Sequence, residues 1–279
     1  MQSTYSKDFT EFQNTVLSFY RQNGRSFPWR TTRDPYAILV SEFMLQQTQT
    51  ERVIEKYGQW MAAFPSVQEL AAASFIKVLE LWVGLGYNRR ARFLHECAKK
   101  ITEEYGGIVP SAPVLLQTLP GIGAYTAAAV AAFAYDRPAV FIETNIRSVF
   151  IHFFFADRTG ISDKEIFPLV QASLYEKKPR LWYYALMDYG AALKKRYGNL
   201  NRQSRHYAKQ SKFEGSVRQV RGSLIRALTA QPAQTYEELA QYVQTGSNLF
   251  GKALTALMRE GFVSERDGVY TIDQGGNNG

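Results

Sequence analysis

Apolar residues recur at intervals of three and four along most of this 279-residue chain, and this spacing constrains the fold more than any other feature. It is clear at Val53, Tyr57 and Trp60, and again at Leu94 and Ile101. Such spacing places apolar side chains on one face of an α-helix. Because glycine and proline interrupt the pattern at short intervals, the sequence predicts an all-α body of short helices joined by tight connections.

The pattern changes near residue 212. Helices are predicted over residues 217–230, 235–243 and 249–260, followed by two short strands on either side of Asp267-Gly268. Three helices and a hairpin indicate a small, winged-helix-like α+β module over residues 212–279. Some modules of this kind bind DNA and others serve only as packing units, so the pattern leaves its role open.

Basic residues are unevenly distributed. The chain carries 33 basic and 25 acidic residues, a formal net charge of +8. Between Arg180 and Arg226 eleven residues are basic, and only Asp188 and Glu214 are acidic. Clustered cations bind polyanions by displacing counterions, so this segment indicates a phosphate-binding surface. The alternative interpretation is a solvated linker.

The chain contains one cysteine, Cys97. It therefore has no intrachain disulfide, and it cannot build a four-thiolate iron–sulfur or zinc site by itself. Residues 1–20 mix charges with aromatic residues and lack the apolar core of a signal peptide. No stretch approaches the roughly 18 apolar residues of a membrane span. We expect a soluble cytoplasmic protein, associated with the nucleoid in a bacterium, with no membrane partner.

Residues 119–126 place Gly121 and Gly123 in a tight turn before an alanine-rich helix. Glycine allows the backbone to approach a ligand closely, and the N-terminus of the following helix offers unpaired N–H groups to a phosphate. Leu115–Thr118 is typical of a preceding helix. The segment therefore predicts a helix, a glycine-containing hairpin and a second helix.

This segment resembles the helix-hairpin-helix motif of the DNA glycosylase superfamily that includes endonuclease III and the adenine DNA glycosylases. Four more segments follow the order and spacing of the adenine (MutY-like) branch: Phe27–Arg30, Ser41–Gln49, Leu81–Tyr87 and Ala185–Ala191. The resemblance covers roughly residues 5–215. It implies two helical lobes with the active site between them. Residues 31–139 would form the six-helix lobe with the hairpin, and residues 1–30 with 140–211 the second lobe.

The resemblance implies a monofunctional glycosylase that hydrolyses the N-glycosidic bond of adenine mispaired with 8-oxoguanine or guanine. The departing base needs a proton, and Glu42 in an apolar helical stretch is the candidate acid, because burial would raise its pKa towards neutrality. The family's Asp-x-Asn motif, whose aspartate stabilises the oxocarbenium-like sugar, corresponds to Glu143-Thr144-Asn145. Glu143 keeps the charge of that aspartate but moves the carboxylate by about 1 Å.

Tyr125 stands where bifunctional relatives carry a Schiff-base lysine. Without an amine at this position, covalent capture of the sugar and strand cleavage have no nucleophile, so no lyase activity is expected. A tyrosine at this position supports the nucleophilic side of the site in some adenine glycosylases. The alternative for Tyr125 is a packing aromatic residue.

Further positions are assigned to double-stranded DNA with a mispaired or damaged base. Gln47 and Tyr87 would fill the stack that a flipped base leaves. Trp29, Arg30 and Asp188 would line the base pocket, where a carboxylate can accept hydrogen bonds from the exocyclic amine of adenine; core packing is the alternative for Trp29. Contacts to the DNA backbone are expected from the hairpin glycines and from exposed cations, namely Gly121, Gly123, Lys194, Lys195, Arg196, Arg202 and Arg205.

The cofactor expectations also follow from the resemblance. Carbonyl oxygens of Gln117, Leu119 and Ile122 match those that hold a monovalent cation, Na⁺ or K⁺, against a DNA phosphate. Family members commonly bind an iron–sulfur cluster after the second-lobe helix, but residues 193–209 contain no cysteine, so no cluster is expected. Packing of apolar and aromatic residues would take the place of its loop, through Leu193, Tyr197, Leu200 and Tyr207. We expect a monomer.

Two alternatives stay open. The C-terminal segment is too short for the Nudix-like domain by which many adenine glycosylases recognise 8-oxoguanine, and Glu143 could signal a changed substrate, so a mismatch thymine or uracil glycosylase is the first alternative. The second is a non-catalytic DNA-binding or regulatory protein. Glu42 argues against it, because an inactive protein has no chemical need for the acid.

Overall fold

The computed structural model describes residues 8–209 and 212–274. Helices dominate this part of the chain, which confirms the predicted helical body. They are α1 (Thr10–Asn23), α2 (Pro28–Thr31), α3 (Pro35–Leu45), α4 (Thr50–Ala63), α5 (Val67–Ala72), α6 (Phe75–Trp82), α7 (Arg89–Tyr105), α8 (Pro113–Leu116), α9 (Ala124–Tyr135), α10 (Thr144–Phe154), α11 (Asp163–Ala172), α12 (Pro179–Tyr197), α13 (Val217–Ala230), α14 (Tyr236–Val243) and α15 (Ser247–Arg259). A 3-10 helix covers Leu200–Gln203, and the strands are β1 (Gln234–Thr235), β2 (Val263–Arg266) and β3 (Val269–Ile272).

The apolar faces predicted from the sequence are the faces that the helices bury. Val53 and Trp60 are buried on α4, and Leu94 and Ile101 on α7. Helix α7 ends at Gly106, whose φ of +59° lies in the left-handed region that favours glycine. The spacing of apolar residues thus fixes which side of each helix faces the core.

Helix α9 is buried over most of its length, with every residue from Thr126 to Ala134 inside. It is 12 residues long, well short of the roughly 20 that cross a bilayer. Among the described residues, no helix combines the length and apolar character that a membrane crossing requires.

The helices form two compact units whose residues interleave along the chain. Unit 1 is Met1–Leu39, Pro110–Thr118 and Ile122–Lys209, and unit 2 is Val40–Val109, Leu119–Gly121 and Gln210–Gly279. This grouping differs from the predicted lobes of 31–139 and of 1–30 with 140–211, and it places the predicted module of 212–279 in unit 2. Residues 1–7, 210–211 and 275–279 of these ranges lie outside the described part of the chain.

Helix α12 is the centre of unit 1, where it packs against α1 and α10. Trp182 of α12 is fully buried, and its ring lies edge-on to that of Phe12 at 5.6 Å. Phe12 also meets Phe150 of α10 at 5.4 Å. Aromatic edges therefore join the three helices into one core.

The C-terminal residues of unit 2 form the predicted winged-helix-like module. Helices α13 to α15 precede an antiparallel sheet of order β1-β3-β2, in which β2 and β3 flank Asp267-Gly268. Helix α13 packs against α6, and Arg92 of α7 donates hydrogen bonds to the carbonyl oxygens of Glu260 and Gly261. The Arg92 guanidinium lies 4.0 Å from the ring centroid of Phe262. These contacts explain why the module belongs to unit 2 rather than standing apart.

Candidate active site

Glu42 lies on α3, where every residue from Tyr36 to Met44 is buried. Its own exposure is 6%. Helix α3 begins at a cap, because the Asp34 carboxylate accepts hydrogen bonds from the backbone N–H groups of Tyr36 and Ala37 at 3.1 and 3.3 Å. The predicted apolar helical setting of Glu42 is therefore present in the structure.

Glu143 caps the N-terminus of α10 in unit 1. Its Oε1 accepts hydrogen bonds from the backbone N–H groups of Asn145 at 2.7 Å and Ile146 at 2.8 Å. The Asn145 side chain donates to Oε2 at 3.3 Å. Burial raises the pKa of Glu143 above its ordinary value, although the amide hydrogen bonds and the charge of Arg147 act in the opposite direction. The carboxylate and Asn145 thus form one fixed group at a helix N-terminus.

Gly190 explains how α12 reaches this group. A side-chain carbon added at Gly190 would lie 2.3 Å from the carbonyl oxygen of Asn145. Only glycine permits that approach. The glycine of the segment Ala185–Ala191 is therefore a packing requirement of the Glu143 site, a role that the sequence pattern did not reveal.

Asp188, which was predicted to line the base pocket, is held by two arginines. Its side chain is 1% exposed, and both carboxylate oxygens are taken by arginines. Arg30 donates from Nη1 and Nη2 at 2.9 Å each, and Arg25 donates from its backbone N and from Nε at 2.7 Å each. Burial acts to raise the pKa of Asp188, but the hydrogen bonds and charges of Arg30 and Arg25 hold it below its ordinary value. Asp188 therefore anchors two arginines, and its contact with the base stays a prediction.

The aromatic residues near this anchor are stacked. Trp29 is 5% exposed and lies parallel to Phe27 at 5.2 Å. The Arg30 guanidinium lies 4.4 Å from the ring centroid of Tyr184 and 4.9 Å from that of Phe27. Trp29 and Arg30 thus belong to one packed cluster of aromatic and arginine side chains in unit 1.

Tyr125 lies in the first turn of α9 and is half-buried. Its ring meets Phe141 edge-on at 5.6 Å. This contact agrees with the packing alternative for Tyr125 and leaves the predicted catalytic role as a prediction.

The predicted hairpin lies between α8 and α9. Gly121 has a φ of +73°, and a side-chain carbon there would lie 2.5 Å from Cβ of Phe93 and 2.9 Å from Cε1 of Phe43. Gly123 caps α9 in an extended conformation. Of the three predicted carbonyl ligands of a cation, Gln117 ends α8, and Leu119 and Ile122 are buried in the turn.

The backbone at Gln47 and Tyr87 adopts the left-handed conformation that residues other than glycine rarely take, with φ of +55° and +50°. Gln47 is exposed and Tyr87 is half-buried. Both lie in unit 2. Non-glycine residues in this conformation occur where the surrounding structure holds the backbone firmly.

Arg90, a residue that the sequence did not single out, holds both loops. Its buried guanidinium donates to the carbonyl oxygens at the end of α3 and in the next loop, and on the other side to those of Leu85 at 3.1 Å and Gly86 at 2.9 Å. It also donates to Thr48 Oγ1 at 2.9 Å. Burial lowers the pKa of Arg90 to about 10, so it stays charged at neutral pH. Arg90 thus ties the Gln47 loop to the Tyr87 loop.

Most of the predicted DNA-facing cations are on the surface. Lys194, Lys195 and Arg196 form the last turn of α12 and are exposed, as are Arg202 and Arg205. Their exposure agrees with a basic surface on unit 1.

Arg180, which the sequence analysis counted in the basic segment, does not lie on that surface. It is 9% exposed and donates hydrogen bonds to the carbonyl oxygens of Phe133, Arg30 and Thr32. Its guanidinium therefore holds backbone inside unit 1 instead of facing a phosphate.

The packing predicted for residues 193–207 is wrong in part. Leu193 is buried, but Tyr197 and Tyr207 are 51% and 39% exposed. Tyr197 still stacks on the His152 ring at 5.3 Å. Polar contacts also hold the segment, because Asn201 donates to Ser148 Oγ at 2.6 Å and to the Thr144 carbonyl oxygen at 2.9 Å. Within residues 8–209 and 212–274, no three His, Cys, Asp or Glu side chains are grouped to hold a metal ion.

Comparisons with known proteins agree with these motifs. The model of the HhH-GPD superfamily of base excision DNA repair proteins matches residues 40–172. Adenine DNA glycosylase of Mus musculus is 39% identical over 198 residues, which are 67% of this chain and 38% of that protein. The chain therefore spans well under half the length of this relative.

Two shorter relatives are covered more fully. Thymine/uracil-DNA glycosylase of Methanothermobacter thermautotrophicus is 29% identical over 196 residues, which are 69% of this chain and 89% of that protein. The solved structure of a thermostable thymine-DNA glycosylase matches with a TM-score of 0.58 at 28% identity, covering 66% of this chain and 88% of the other.

Proposed function

Because this chain belongs to the HhH-GPD superfamily of base excision DNA repair proteins, we propose that it is a monofunctional DNA glycosylase that removes adenine mispaired with 8-oxoguanine or guanine. The observation that carries the proposal is Glu42, a carboxyl group on a helix that is buried from Tyr36 to Met44. A carboxylic acid in such surroundings can protonate the departing adenine as its bond to the sugar breaks.

Glu143 is the second carboxylate of the proposed reaction. Positive charge develops on the sugar as the base departs, and an ionised carboxylate lowers the energy of that state. The backbone N–H groups of Asn145 and Ile146 fix Oε1 of Glu143, and the Asn145 side chain holds Oε2, before any substrate binds. These hydrogen bonds support the proposal that glutamate can replace the family's aspartate. The longer side chain folds back onto the N-terminus of α10, which holds its carboxylate in place.

Water is the nucleophile in this proposal. Tyr125 carries no amine that could form a Schiff base with the sugar, so the product is an intact strand with an abasic site. An abasic strand that breaks only after alkali treatment is the expected product.

DNA binding is assigned to the hairpin, the exposed cations and the two loops of unit 2. The hairpin glycines and the N-terminus of α9 suit a phosphate, and a Na⁺ or K⁺ ion on the carbonyl oxygens of Gln117, Leu119 and Ile122 would add a positive charge. Trp29 and Arg30 would face the flipped base, and Asp188 would act through the arginines that it anchors. We propose that the protein acts in the cytoplasm as a monomer without an iron–sulfur cluster.

A panel of four duplexes tests the proposal, each with one labelled target base: adenine opposite 8-oxoguanine, adenine opposite guanine, thymine opposite guanine and uracil opposite guanine. We expect single-turnover release of adenine from the first two. Glu42→Gln should reduce that release by roughly 10²- to 10⁴-fold while duplex binding persists. If neither adenine duplex loses its base, the proposal is refuted.

Thymine or uracil excision is the second candidate. The similarity to a thymine/uracil-DNA glycosylase over 89% of its length favours it, as does Glu143 in place of the family's aspartate. Release of thymine or uracil in the panel, with adenine untouched, would establish it. Tight duplex binding with all four bases retained would instead indicate a non-catalytic DNA-binding protein.

A further inference from the structure

The segment that follows helix α12, residues 198–207, is tied to the rest of unit 1 through its backbone. Its partner is Ile161, which directly precedes the N-terminal cap of α11. The Ile161 N–H group donates to the Gln203 carbonyl oxygen at 3.1 Å, and the Arg205 N–H group donates to the Ile161 carbonyl oxygen at 2.9 Å. The 198–207 segment therefore has a defined position against α11.

Asn201 is the residue of this segment that reaches α10. Its buried side-chain nitrogen donates to the Thr144 carbonyl oxygen at 2.9 Å and to Ser148 Oγ at 2.6 Å. The Ser148 hydroxyl in turn donates to the same Thr144 carbonyl oxygen at 2.9 Å. Thr144 lies between Glu143 and Asn145 in the chain. Asn201 thus holds the first residue of α10 from outside that helix.

The acceptor side of the Asn201 amide is also used. Its Oδ1 accepts a 3.2 Å hydrogen bond from Nη1 of Arg147, and the Asp163 carboxylate of α11 accepts from Nε and Nη2 at 2.6 and 2.8 Å. The backbone N–H group of Arg147 donates to the Glu143 carbonyl oxygen at 2.8 Å, and its charge acts to lower the pKa of Glu143. Asn201 therefore binds both the backbone beside Glu143 and the arginine whose charge acts on it.

The first turn of α10 needs support from outside because the N–H groups at a helix N-terminus have no acceptors within the helix. Those of Asn145 and Ile146 donate to the Glu143 carboxylate, and Glu143 itself precedes the helix. The carboxylate is therefore placed only as accurately as this first turn. A displacement of about 1 Å in a catalytic group can reduce a rate by about 100-fold. A contact that fixes Thr144 thus acts on the position of the Glu143 carboxylate.

The identity of residue 201 indicates that the position supplies orientation more than burial. Burying an amide is costly unless its polar atoms are satisfied, and an apolar side chain would avoid that cost. The Asn201 amide uses its donors and its acceptor on α10, through Thr144, Ser148 and Arg147. Buried polar networks with satisfied partners specify one arrangement of the elements that they join.

We propose that Asn201 is a positioning residue for Glu143, and that the 198–207 segment holds the first turn of α10 in the geometry that base excision requires. Asn201 acts in this role through Thr144 and Arg147 rather than on the substrate. The inference rests on the proposed function, because it concerns the carboxylate assigned to the developing charge on the sugar.

A comparison of excision with duplex binding tests this role. Asn201→Leu keeps the branched shape of the side chain and removes its polar atoms. We expect it to lower the single-turnover rate of adenine release by about 10- to 100-fold. The Kd for a duplex with an uncleavable adenosine analogue should change by less than about twofold, because the hydrogen bonds that are lost lie within the protein. Ser148→Ala should lower the rate by a smaller factor, since Asn201 keeps its other two partners.

Asn201→Asp is the second variant, and it serves also if Asn201→Leu does not fold. It keeps an acceptor for Arg147 and replaces the nitrogen that donates to the Thr144 carbonyl oxygen by a second carboxylate oxygen. We expect a loss of rate similar to that of Asn201→Leu. A full rate in Asn201→Asp would show that the contact with Thr144 does not position Glu143.

Gln13→Leu is the matched control. It removes another amide of unit 1 that donates to a backbone carbonyl oxygen, that of Ser173 at the end of α11, at 3.0 Å. This variant should lose thermal stability without a change in the rate of excision, measured at a temperature where both leucine variants are folded.

Hydrogen exchange provides a readout that a general loss of stability does not change. The amides of Asn145 and Ile146 donate to Glu143, so their exchange reports how firmly the carboxylate is held. We expect Asn201→Leu to speed their exchange by about tenfold relative to amides in the middle of α12. Gln13→Leu should leave that ratio unchanged.

Several outcomes would overturn the inference. An unchanged rate in Asn201→Leu is one, and equal losses of rate and duplex affinity, which indicate a role in DNA binding, are another. A third is exchange of the Asn145 and Ile146 amides that rises no more than in Gln13→Leu. Failure of the proposed function would be recognised separately, since the unaltered protein would then release no adenine while the exchange experiment still reported the hold on Glu143.

Discussion

In unit 1, donors of the protein surround negatively charged side chains: backbone N–H groups hold Glu143, and Arg25 and Arg30 hold Asp188. In unit 2 the roles are reversed, because the Arg90 side chain donates to the backbone carbonyl oxygens of the loops that carry Gln47 and Tyr87. The contacts of Glu143 and Asp188 thus fix the side chains themselves, whereas those of Arg90 fix the backbone that presents Gln47 and Tyr87. Substitution of Glu143 should therefore alter the chemical step, as should that of the proposed acid Glu42, whereas substitution of Arg90 should alter stability and DNA binding.

The largest effect that tests this contrast is expected at Glu143. Glu143→Ala removes the charge beside the developing oxocarbenium ion, and we expect single-turnover excision to fall by about 100-fold with duplex affinity retained. Loss of the α10 cap should also lower the free energy of unfolding by about 1 kcal/mol. Glu143→Gln keeps a capping oxygen without the charge, so it should lose activity with a smaller change in stability. Full single-turnover activity of Glu143→Ala would refute the catalytic role.

Substitution of Arg90 should have a smaller effect on excision, because it weakens DNA binding rather than the chemical step. Arg90→Met leaves several buried carbonyl oxygens without a donor, each at a cost of about 1–3 kcal/mol, so we expect a free energy of unfolding lower by about 3 kcal/mol. Duplex affinity should fall by about tenfold because both loops lose their common anchor. Denaturant unfolding and a duplex titration measure the two quantities.

Arg89→Met is the matched control for Arg90. Its side chain is 61% exposed, so its removal should change the free energy of unfolding by no more than about 0.5 kcal/mol. If the free energy of unfolding of Arg90→Met falls no more than that of Arg89→Met, Arg90 does not hold the loops.

The smallest effect concerns pH. Because burial raises the pKa of Glu143, the folded protein keeps a proton on this carboxyl group at a pH where an exposed glutamate has lost it. This favours the folded state at acidic pH, and the advantage is lost as pH rises through the folded pKa. Excision needs the ionised form, so the rate should fall on acidification at a pH above the ordinary glutamate range.

A pH profile of single-turnover excision measures this. Glu143→Gln, which cannot titrate, should retain a low rate without that acid limb. The same acid limb in Glu143→Gln would assign it to another group.

Much of the helical architecture could be predicted, because the spacing of apolar residues decides locally which face of a helix is buried. Val53 and Trp60 on α4 are examples, and so is Glu42 within the apolar run of α3. The helices and hairpin of the C-terminal module also followed from local pattern and from the Asp267-Gly268 turn. The site roles of Glu42, Glu143, Tyr125 and Asn145 stay predictions that the experiments above address.

The sequence by itself determined the helical faces, the glycines of tight turns and the motifs that indicate a family, since these depend on neighbours a few residues away. Only the tertiary structure decided that Arg180 is internal, that Asp188 anchors arginines more than 150 positions away in the chain and that Arg218 meets Tyr87. The residues next to an arginine in the sequence do not distinguish one that faces solvent from one that holds a loop. Its role depends on which distant carbonyl, carboxylate or phenol the fold brings within hydrogen-bonding distance.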